Sequence, residues 1–420
     1  MNLNGRTALV VGMGKSGQAA ARLLRAKGAQ VFGADDKLPG QRKVAPQALN
    51  GIDLVVASPG IPLDKPIFVE ARERGVELLG EVELASRFID EPVVGITGTN
   101  GKSTTTALSG HLLSTAGLRV FTGGNLGNAL SNRVLDQGQL DVTVCELSSY
   151  QLESIESFRC AAATVLNVTP DHLDRYASLD DYAKAKARIF ENQRPGDRAV
   201  LNAADARVRE MKTNPGVERV LIDPRAQKAA AGGSQKPALT LRAPTLRGAH
   251  NLENALAAAA LVKHFGVQGD VLQRGLDSYP GLPHRLEPVR TLNGVEWVND
   301  SKATNVDSVE KSLTAFPGNV LLILGGRGKG APYAPLRPLV KERVKAILTI
   351  GEDAAKVAEE LGDLKPLHAC ETLPNAVRKA SELARPGDVV LLSPACASYD
   401  QFNNFEERGD TFKELVRRLS

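Results

Sequence analysis

The sequence predicts an α/β protein built from three consecutive units, and three observations carry that prediction. Short β-branched runs alternate with helical stretches from one end of the chain to the other. Glycine-rich turns lead from strand to helix at Gly12–Gly17 and again at Gly95–Gly101. The 420 residues are too many for a single core, since a domain takes about 150. Element by element, Thr7–Val11 reads as a strand, Ser16–Lys27 as a helix and Ala29–Asp35 as a second strand. Leu54–Ala57 is a further strand ending in the turn Ser58-Pro59-Gly60. A boundary is predicted near residue 91, where an acidic stretch gives way at Pro92 to a new strand, Val93–Thr97. The second unit carries strands near Val120, at Val142–Cys145 and at Thr164–Asn167. Residues Asp223–Pro237 read as a surface loop. From His250 onward, Leu252, Leu256, Ala259 and Val262 recur at helical spacing. The Pro-rich segment Tyr279–Pro288 marks a second boundary, after which Val320–Leu324, Ala346–Ile350 and Val389–Leu392 are buried strands of a third unit. No internal repeat is present.

Composition excludes several classes. The chain has 52 Lys and Arg against 48 Asp and Glu, with no run of five like charges, which argues against a nucleic-acid tail. Aromatic residues make up 4%, too few for a base-stacking platform. The longest apolar stretch, Ala255 to Val262, is far short of the roughly 18 residues a membrane span needs. Gly12 interrupts the apolar run Ala8–Val11, so no secretory signal is expected. Cys145, Cys160, Cys370 and Cys396 form no CxxC pair and read as reduced thiols of a cytoplasmic protein.

The strongest local signal is Gly95-Ile-Thr-Gly98-Thr-Asn-Gly101-Lys102-Ser103, a strand turning into a helix through glycines. Such a turn aims backbone N–H groups at phosphate oxygens, and the helix N-terminus adds partial positive charge. Lys102 would neutralise the β- and γ-phosphates, and the Ser103 hydroxyl would ligate Mg²⁺. Ile96 stands where the strict pattern has glycine, so this is a variant loop that binds a nucleoside triphosphate. Gly12-Met-Gly14-Lys-Ser-Gly17 follows a strand and opens a helix, with Asp35-Asp36 about 20 residues on. Alone, that fingerprint suggests an NAD-dependent oxidoreductase; the same geometry suits any ligand carrying a diphosphate.

Seven segments together resemble the ATP-dependent Mur ligases, in order and across essentially the whole chain. They are Gly98–Ser103, Glu146-Leu-Ser-Ser-Tyr-Gln-Leu-Glu153, Asn167-Val-Thr-Pro-Asp-His-Leu-Asp174, His250-Asn-Leu-Glu-Asn254, Gly281-Leu-Pro-His-Arg285, Asn299-Asp-Ser-Lys-Ala-Thr-Asn305 and Leu392–Phe402. The last two look most like the D-glutamate-adding branch; a sister ligase adding another amino acid and a folylpolyglutamate synthase are the rivals with the same ATP chemistry. The resemblance implies three domains: a Rossmann-like N-terminal domain (1–91) for the UDP substrate, a central P-loop ATPase domain with a mostly parallel sheet (92–287), and a Rossmann-like C-terminal domain (288–420). It implies ATP, two Mg²⁺ ions and the substrates UDP-N-acetylmuramoyl-L-alanine and D-glutamate. It also resolves the N-terminal fingerprint in favour of a diphosphate other than NAD. A monomer with no nucleic-acid partner is expected.

The resemblance assigns residues as well. Gly98, Thr99, Asn100, Gly101, Lys102, Ser103 and Thr104 would hold the ATP phosphates. Asn251 and Asn254, one helical turn apart, could reach the adenine end, and His284, Arg285, Asp300, Lys302 and Thr304 are further nucleotide contacts. Ser103 and Glu146 would bind a first Mg²⁺. His172, on its own terms a turn histidine that could be structural, becomes a ligand of a second. Lys186 sits beside Lys184 on a helix whose plain reading is a solvated face; the resemblance matches it to a lysine carbamylated by CO₂, which holds Mg²⁺. That modification needs a neutral amine, hence a depressed pKa. Gly14, Lys15, Ser16, Asp35, Asp36 and Asn125 are the candidates for the UDP substrate, with Asp36-Lys37 standing where family members often carry Thr or Arg. Lys329, in the glycine run Gly325–Gly330, Ser398 and Phe405 are the candidates for D-glutamate. Domain closure about Gly281–Pro288 is expected.

Overall fold

The structure, a computed structural model, describes residues 1–136, 138–171, 175–225 and 239–420. Sixteen strands form three sheets among the described residues. The first contains β1 (Thr7–Val11), β2 (Gln30–Ala34), β3 (Leu54–Ala57) and β4 (Glu77–Gly80), in the order β2-β1-β3-β4 and all parallel. Parallel pairing requires crossover helices that cover the faces, and so the strands read as nearly unbroken apolar runs. The first crossover, helix Lys15–Ala26, buries Ala19, Ala20, Leu23 and Leu24 at the helical repeat.

The second sheet holds β5 (Val93–Thr97), β6 (Val120–Gly124), β7 (Val142–Glu146), β8 (Ala162–Val165), β9 (Arg198–Asn202) and β10 (Glu218–Ile222). Its order is β10-β9-β8-β5-β7-β6, again all parallel. The first strand of the domain, β5, therefore lies in the middle, and chain order reverses on either side of it. Ligands of open parallel sheets bind outside the carboxyl ends at such a reversal. The ends that meet there deliver Gly98 from β5, Glu146 from β7 and Leu166-Asn167 from β8.

The third sheet contains β11 (Glu287–Leu292), β12 (Val295–Asn299), β13 (Val320–Gly325), β14 (Val344–Ile350), β15 (Leu367–Glu371) and β16 (Val389–Leu392), in the order β11-β12-β16-β13-β14-β15. Only β11 runs antiparallel, joined to β12 by a tight turn in which Asn293 and Gly294 both take positive φ, 50° and 76°. That backbone matches the twist of a two-residue hairpin.

The chain divides into two compact units, Met1–Thr240 with Glu253–Leu276, and Leu241–Leu252 with Asp277–Ser420. The first two sheets share the first unit, and buried carboxylates from helix Glu81–Ser86 join them. Glu83, fully buried, accepts hydrogen bonds from the backbone N–H groups of Glu156 (2.9 Å), Ser157 (3.1 Å) and Phe158 (3.0 Å), from the Ser157 hydroxyl (2.6 Å) and from Arg87. Glu81 accepts from the Ser131 N–H at 2.6 Å.

Strand positions differ from expectation mainly at β8, expected at Thr164–Asn167 and found at Ala162–Val165. The Leu166 N–H still donates to Thr97 at the end of β5, but the Leu166 carbonyl accepts from the Asn202 amide, and Asn167 turns its carbonyl and side chain to the loop after β5. Helix Lys15–Ala26 begins one residue early, and helix Ala249–Val262 covers the predicted periodic run. All but the first three residues of Asp223–Pro237 lie outside the described residues. Among the described residues no helix is long and apolar enough to cross a membrane.

Candidate active site

Strand β5 ends in a turn only glycine tolerates. Gly98 has φ 147° and Gly101 φ 86°. A Cβ on Gly101 would stand 2.2 Å from the Asn254 side-chain oxygen, so the loop closes tightly against helix Ala249–Val262. Gly101 opens helix Lys102–Thr115, and no side chain among the described residues caps it. The helix therefore presents its N-terminal dipole to whatever lies over the loop. Lys102 folds back, its Nζ donating to the carbonyls of Gly98 (3.0 Å) and Thr99 (2.9 Å). Ser103 follows, half-buried, and Thr104 is buried beneath.

Around this loop gather groups from the neighbouring strand ends. Glu146, 2% exposed at the end of β7, receives the Asn125 side-chain amide on Oε1 at 2.8 Å, while Oε2 is buried with no hydrogen-bond partner among the described residues. A buried carboxylate oxygen without a donor is costly unless a cation completes it. Gly124 makes this approach possible, since a Cβ there would meet the Glu146 carbonyl at 2.3 Å. Asn125, a UDP-substrate candidate by sequence, is held by this bond to Glu146.

Lys186 is 1% exposed on helix Leu179–Ala187, not on a solvated face. Its Nζ donates to the Gly98 carbonyl at 2.9 Å and lies 4.2 Å from the Tyr182 ring centroid. Burial, reinforced by the nearby Lys102 charge and partly opposed by Asp171, pushes the Lys186 ammonium down to about 7. A substantial fraction of neutral amine at neutral pH follows. Lys184, by contrast, is exposed and pairs with Asp181. His172 lies outside the described residues.

Two residues that sequence reasoning left unassigned shape these sites. Asn167 binds the backbone of Thr99 and Asn100; the Asn-Val-Thr-Pro segment containing it was the available signal. In the second unit, the 1%-exposed Arg408 donates to the Ser301 hydroxyl and to the carbonyls of Ser301 and Cys396. Its Glu-Glu-Arg-Gly-Asp context carries no signal of burial.

The N-terminal glycine turn borders a cleft of about 480 Å³ lined by Gly14, Lys15, Ser16, Asp35 and Asp36, together with Ser58 and Lys65. A Cβ on Gly17 would stand 1.9 Å from the Gly12 carbonyl, so the third glycine lets the helix abut the turn. Asp35 accepts from the N–H groups of Met13 (2.8 Å) and Lys37 (2.9 Å), which hold its carboxyl below the ordinary range. Asp36 accepts from Val44 N–H. Asp35 thus ties the glycine turn to the loop after β2, while Asp36 acts within that loop.

Asn254, in the first unit, faces Gly101. In the second unit, Asn251 donates to the Arg247 carbonyl at 2.8 Å, so it anchors the start of its helix. His284, with φ 62°, contacts Asn299 at 3.1 Å and stands edge-on to Phe405, ring centroids 5.9 Å apart. The Arg285 Nε is buried without a partner among the described residues, a donor suited to an anion. Lys302 donates its N–H to the His284 carbonyl, Thr304 follows it, and the Lys302 Nζ lies 5.7 Å from the Phe405 ring centroid. The loops bearing Lys329 and Ser398 are tied by paired backbone bonds between Arg327 and Ala397, both 3.0 Å. Lys329 is exposed and Ser398 buried.

Asp300 is enclosed by Ser312 (2.5 Å), Ser393 (2.8 Å) and the Leu286 N–H (3.2 Å). Burial raises its carboxyl to about 6 against those hydrogen bonds. The folded protein thus holds this proton more tightly than the unfolded chain, so the contribution to stability is full below about pH 4 and is lost as pH rises through about 6. Asp300→Asn is expected to remove roughly 2–3 kcal/mol of that decline. Urea unfolding of both proteins at the two ends of the interval checks it; parallel pH dependences would refute the assignment.

These features define a class: an α/β nucleotide-binding enzyme with a phosphate loop at the reversal point of a parallel sheet. Residues 6–80 match the N-terminal domain of MurD-like Mur ligases, 96–262 the Mur ligase middle domain and 284–396 the Mur ligase glutamate ligase domain. The chain belongs to the Mur ligase family, ATP-dependent enzymes that form amide bonds. It is 52% identical to the UDP-N-acetylmuramoylalanine–D-glutamate ligase of Anaeromyxobacter dehalogenans, over 99% of this chain and 98% of that one. It is 49% identical to the enzyme of the same name from Myxococcus xanthus, over 99% of both. In fold it is similar to the UDP-N-acetylmuramate–alanine ligase MurC of Thermotoga maritima (TM-score 0.61, 20% identity, 98% of this chain and 99% of that one). It is also similar to MurF of Acinetobacter baumannii (TM-score 0.62, 18% identity, 96% and 93%).

Proposed function

We propose that the chain joins D-glutamate to UDP-N-acetylmuramoyl-L-alanine at the expense of ATP, in the synthesis of the peptidoglycan precursor. The observation that carries this reading is the 52% identity over nearly the full length of a ligase of that name. The alanine carboxylate is a poor acylating agent because its oxygen leaves badly. Its oxygen attacks the γ-phosphorus, ADP departs, and an acyl phosphate results. The D-glutamate amine then attacks the acyl carbon, inorganic phosphate leaves and the amine loses a proton.

Residue roles follow. The loop Gly98, Thr99, Asn100, Gly101, Lys102, Ser103 and Thr104 holds the triphosphate through the helix N-terminus and the Lys102 ammonium, with Lys102 exchanging its loop carbonyls for phosphate oxygens. Asn251, Asn254, His284, Arg285, Asp300, Lys302 and Thr304 serve the nucleotide, Asp300 by bracing its own loop. Ser103 and the unpartnered Glu146 Oε2 fit one Mg²⁺; His172 and a carbamate on Lys186 would hold a second. Bound there, Mg²⁺ offsets negative charge among the phosphate and carboxylate oxygens. Burial supports the carbamate reading, because a neutral Lys186 amine can take up CO₂. Gly14, Lys15, Ser16, Asp35, Asp36 and Asn125 serve the UDP substrate, and Lys329, Ser398 and Phe405 serve D-glutamate. Domains at 1–91, 92–287 and 288–420, a monomer, and a cytoplasmic location complete the proposal. Incubation with ATP, D-glutamate and a substrate ¹⁸O-labelled in the alanine carboxylate tests it. One label should appear in the released phosphate and the product should gain one glutamate in mass; unlabelled phosphate refutes the mechanism.

A further inference from the structure

We propose that Asn167 is a positioning residue that fastens the phosphate loop to the loop after β8 and thereby selects which backbone N–H groups are offered to the nucleotide. The inference rests on the nucleotide reading above. Beyond the sheet, Asn167 Oδ1 accepts from the N–H groups of Thr99 (3.1 Å) and Asn100 (2.8 Å), and its Nδ2 donates to the Asn100 carbonyl at 3.2 Å. Its own carbonyl accepts the Thr99 N–H at 2.9 Å. The Thr99 hydroxyl completes the seam, accepting from Thr169 N–H at 3.0 Å and donating to the Thr169 carbonyl at 3.3 Å. All these contacts join segments about 70 residues apart, where the strands have already ended.

The arrangement has a directional consequence. With the N–H groups of Thr99 and Asn100 turned toward Asn167, the donors left to face phosphate begin at Gly101 and the helix it opens. Gly98 allows the close approach: a Cβ there would lie 3.0 Å from that of Leu166 and 3.3 Å from the Asn167 nitrogen. Without the Asn167 side chain, the Asn100 N–H and carbonyl lose this partner while the Thr99 N–H keeps only the Asn167 backbone carbonyl, and the loop at Asn100 is free to sample orientations that misaim the cradle. A side chain that only stabilised the fold would affect every ligand alike; this one acts on the nucleotide selectively.

The test uses the full chain and the variants Asn167→Ala and Asn167→Asp. For Asn167→Ala, the KM for ATP and the Kd for a non-hydrolysable ATP analogue with Mg²⁺ should rise roughly ten- to hundredfold, with the KM for D-glutamate within about twofold of wild type. Amide exchange in the peptide spanning residues 98–101 of the nucleotide-free protein should accelerate. Asn167→Asp keeps the acceptor and loses only the donor, so it should retain the slow exchange of that peptide. Unchanged nucleotide affinity in the alanine variant, an equal loss for both ligands, or fast exchange in the aspartate variant would each overturn the assignment. Failure of the wild-type chain to bind the analogue would instead remove the nucleotide reading itself.

Discussion

Lys186→Ala is expected to lower turnover by at least two to three orders of magnitude while leaving nucleotide affinity nearly unchanged. The side chain is buried, and its amine meets the Gly98 carbonyl at 2.9 Å, on the same carbonyl that Lys102 uses. Burial and the Lys102 charge bring its pKa to about 7, the condition under which an amine reacts with CO₂. Methionine at the same position fills the space without a nitrogen and should be equally inactive. Arginine should not rescue, because a guanidinium stays charged. Steady-state phosphate release, set beside calorimetric titration of the ATP analogue, separates chemistry from binding. Wild-type rates in the alanine variant would eliminate Lys186 from the mechanism; an equal collapse of nucleotide binding would reduce it to packing.

Glu83→Ala should destabilise the first unit by about 3–5 kcal/mol, the scale of removing one partner from a buried charged cluster. Three consecutive backbone N–H groups, the Ser157 hydroxyl and Arg87 would lose their acceptor at once. Burial alone would raise the Glu83 pKa, but the donors from Glu156, Ser157, Arg87 and Phe158 outweigh it and hold the carboxyl below its ordinary value. The stabilisation is therefore full above the unfolded pKa, about 4.3, and is lost as pH falls through the lower folded value. Glu83→Gln keeps one acceptor, so it should cost less and respond less to acid. Urea unfolding at neutral and acid pH measures both effects; a change under about 0.5 kcal/mol in the alanine variant would contradict the clamp.

The contrast between Glu83 and the phosphate loop explains what could be read from the chain before folding. Gly98–Ser103 is legible because its chemistry is local: glycines, a lysine and a hydroxyl within a few residues, between a strand and a helix. The N-terminal cleft is legible for the same reason. Glu83 is not, because all its donors except Arg87 come from more than 70 residues away and its Glu-Val-Glu-Leu setting resembles any helix with a wet face. Arg408 was hidden by the acids around it. Strand β10 alternates too little, with Glu218, Arg219 and Leu221 all exposed at a sheet edge. The β11–β12 hairpin did carry a signal, Asn293-Gly294 between apolar runs, which attention to parallel alternation passes over. Lys186 was placed by resemblance, and the structure supplies the burial that its sequence neighbours conceal.

The carboxylates of Glu81 and Glu83 tie the helix after the first sheet to segments of the second, within one compact unit that carries both the N-terminal cleft and the phosphate loop. A unit of that kind works as a gauge. On the proposed assignment, a molecule anchored by its diphosphate in the cleft would need the right span for its far carboxylate to arrive at the loop. Analogues lengthened or shortened between those ends would be gripped yet left unreacted, so discrimination would come from reach as much as from the groups at either terminus.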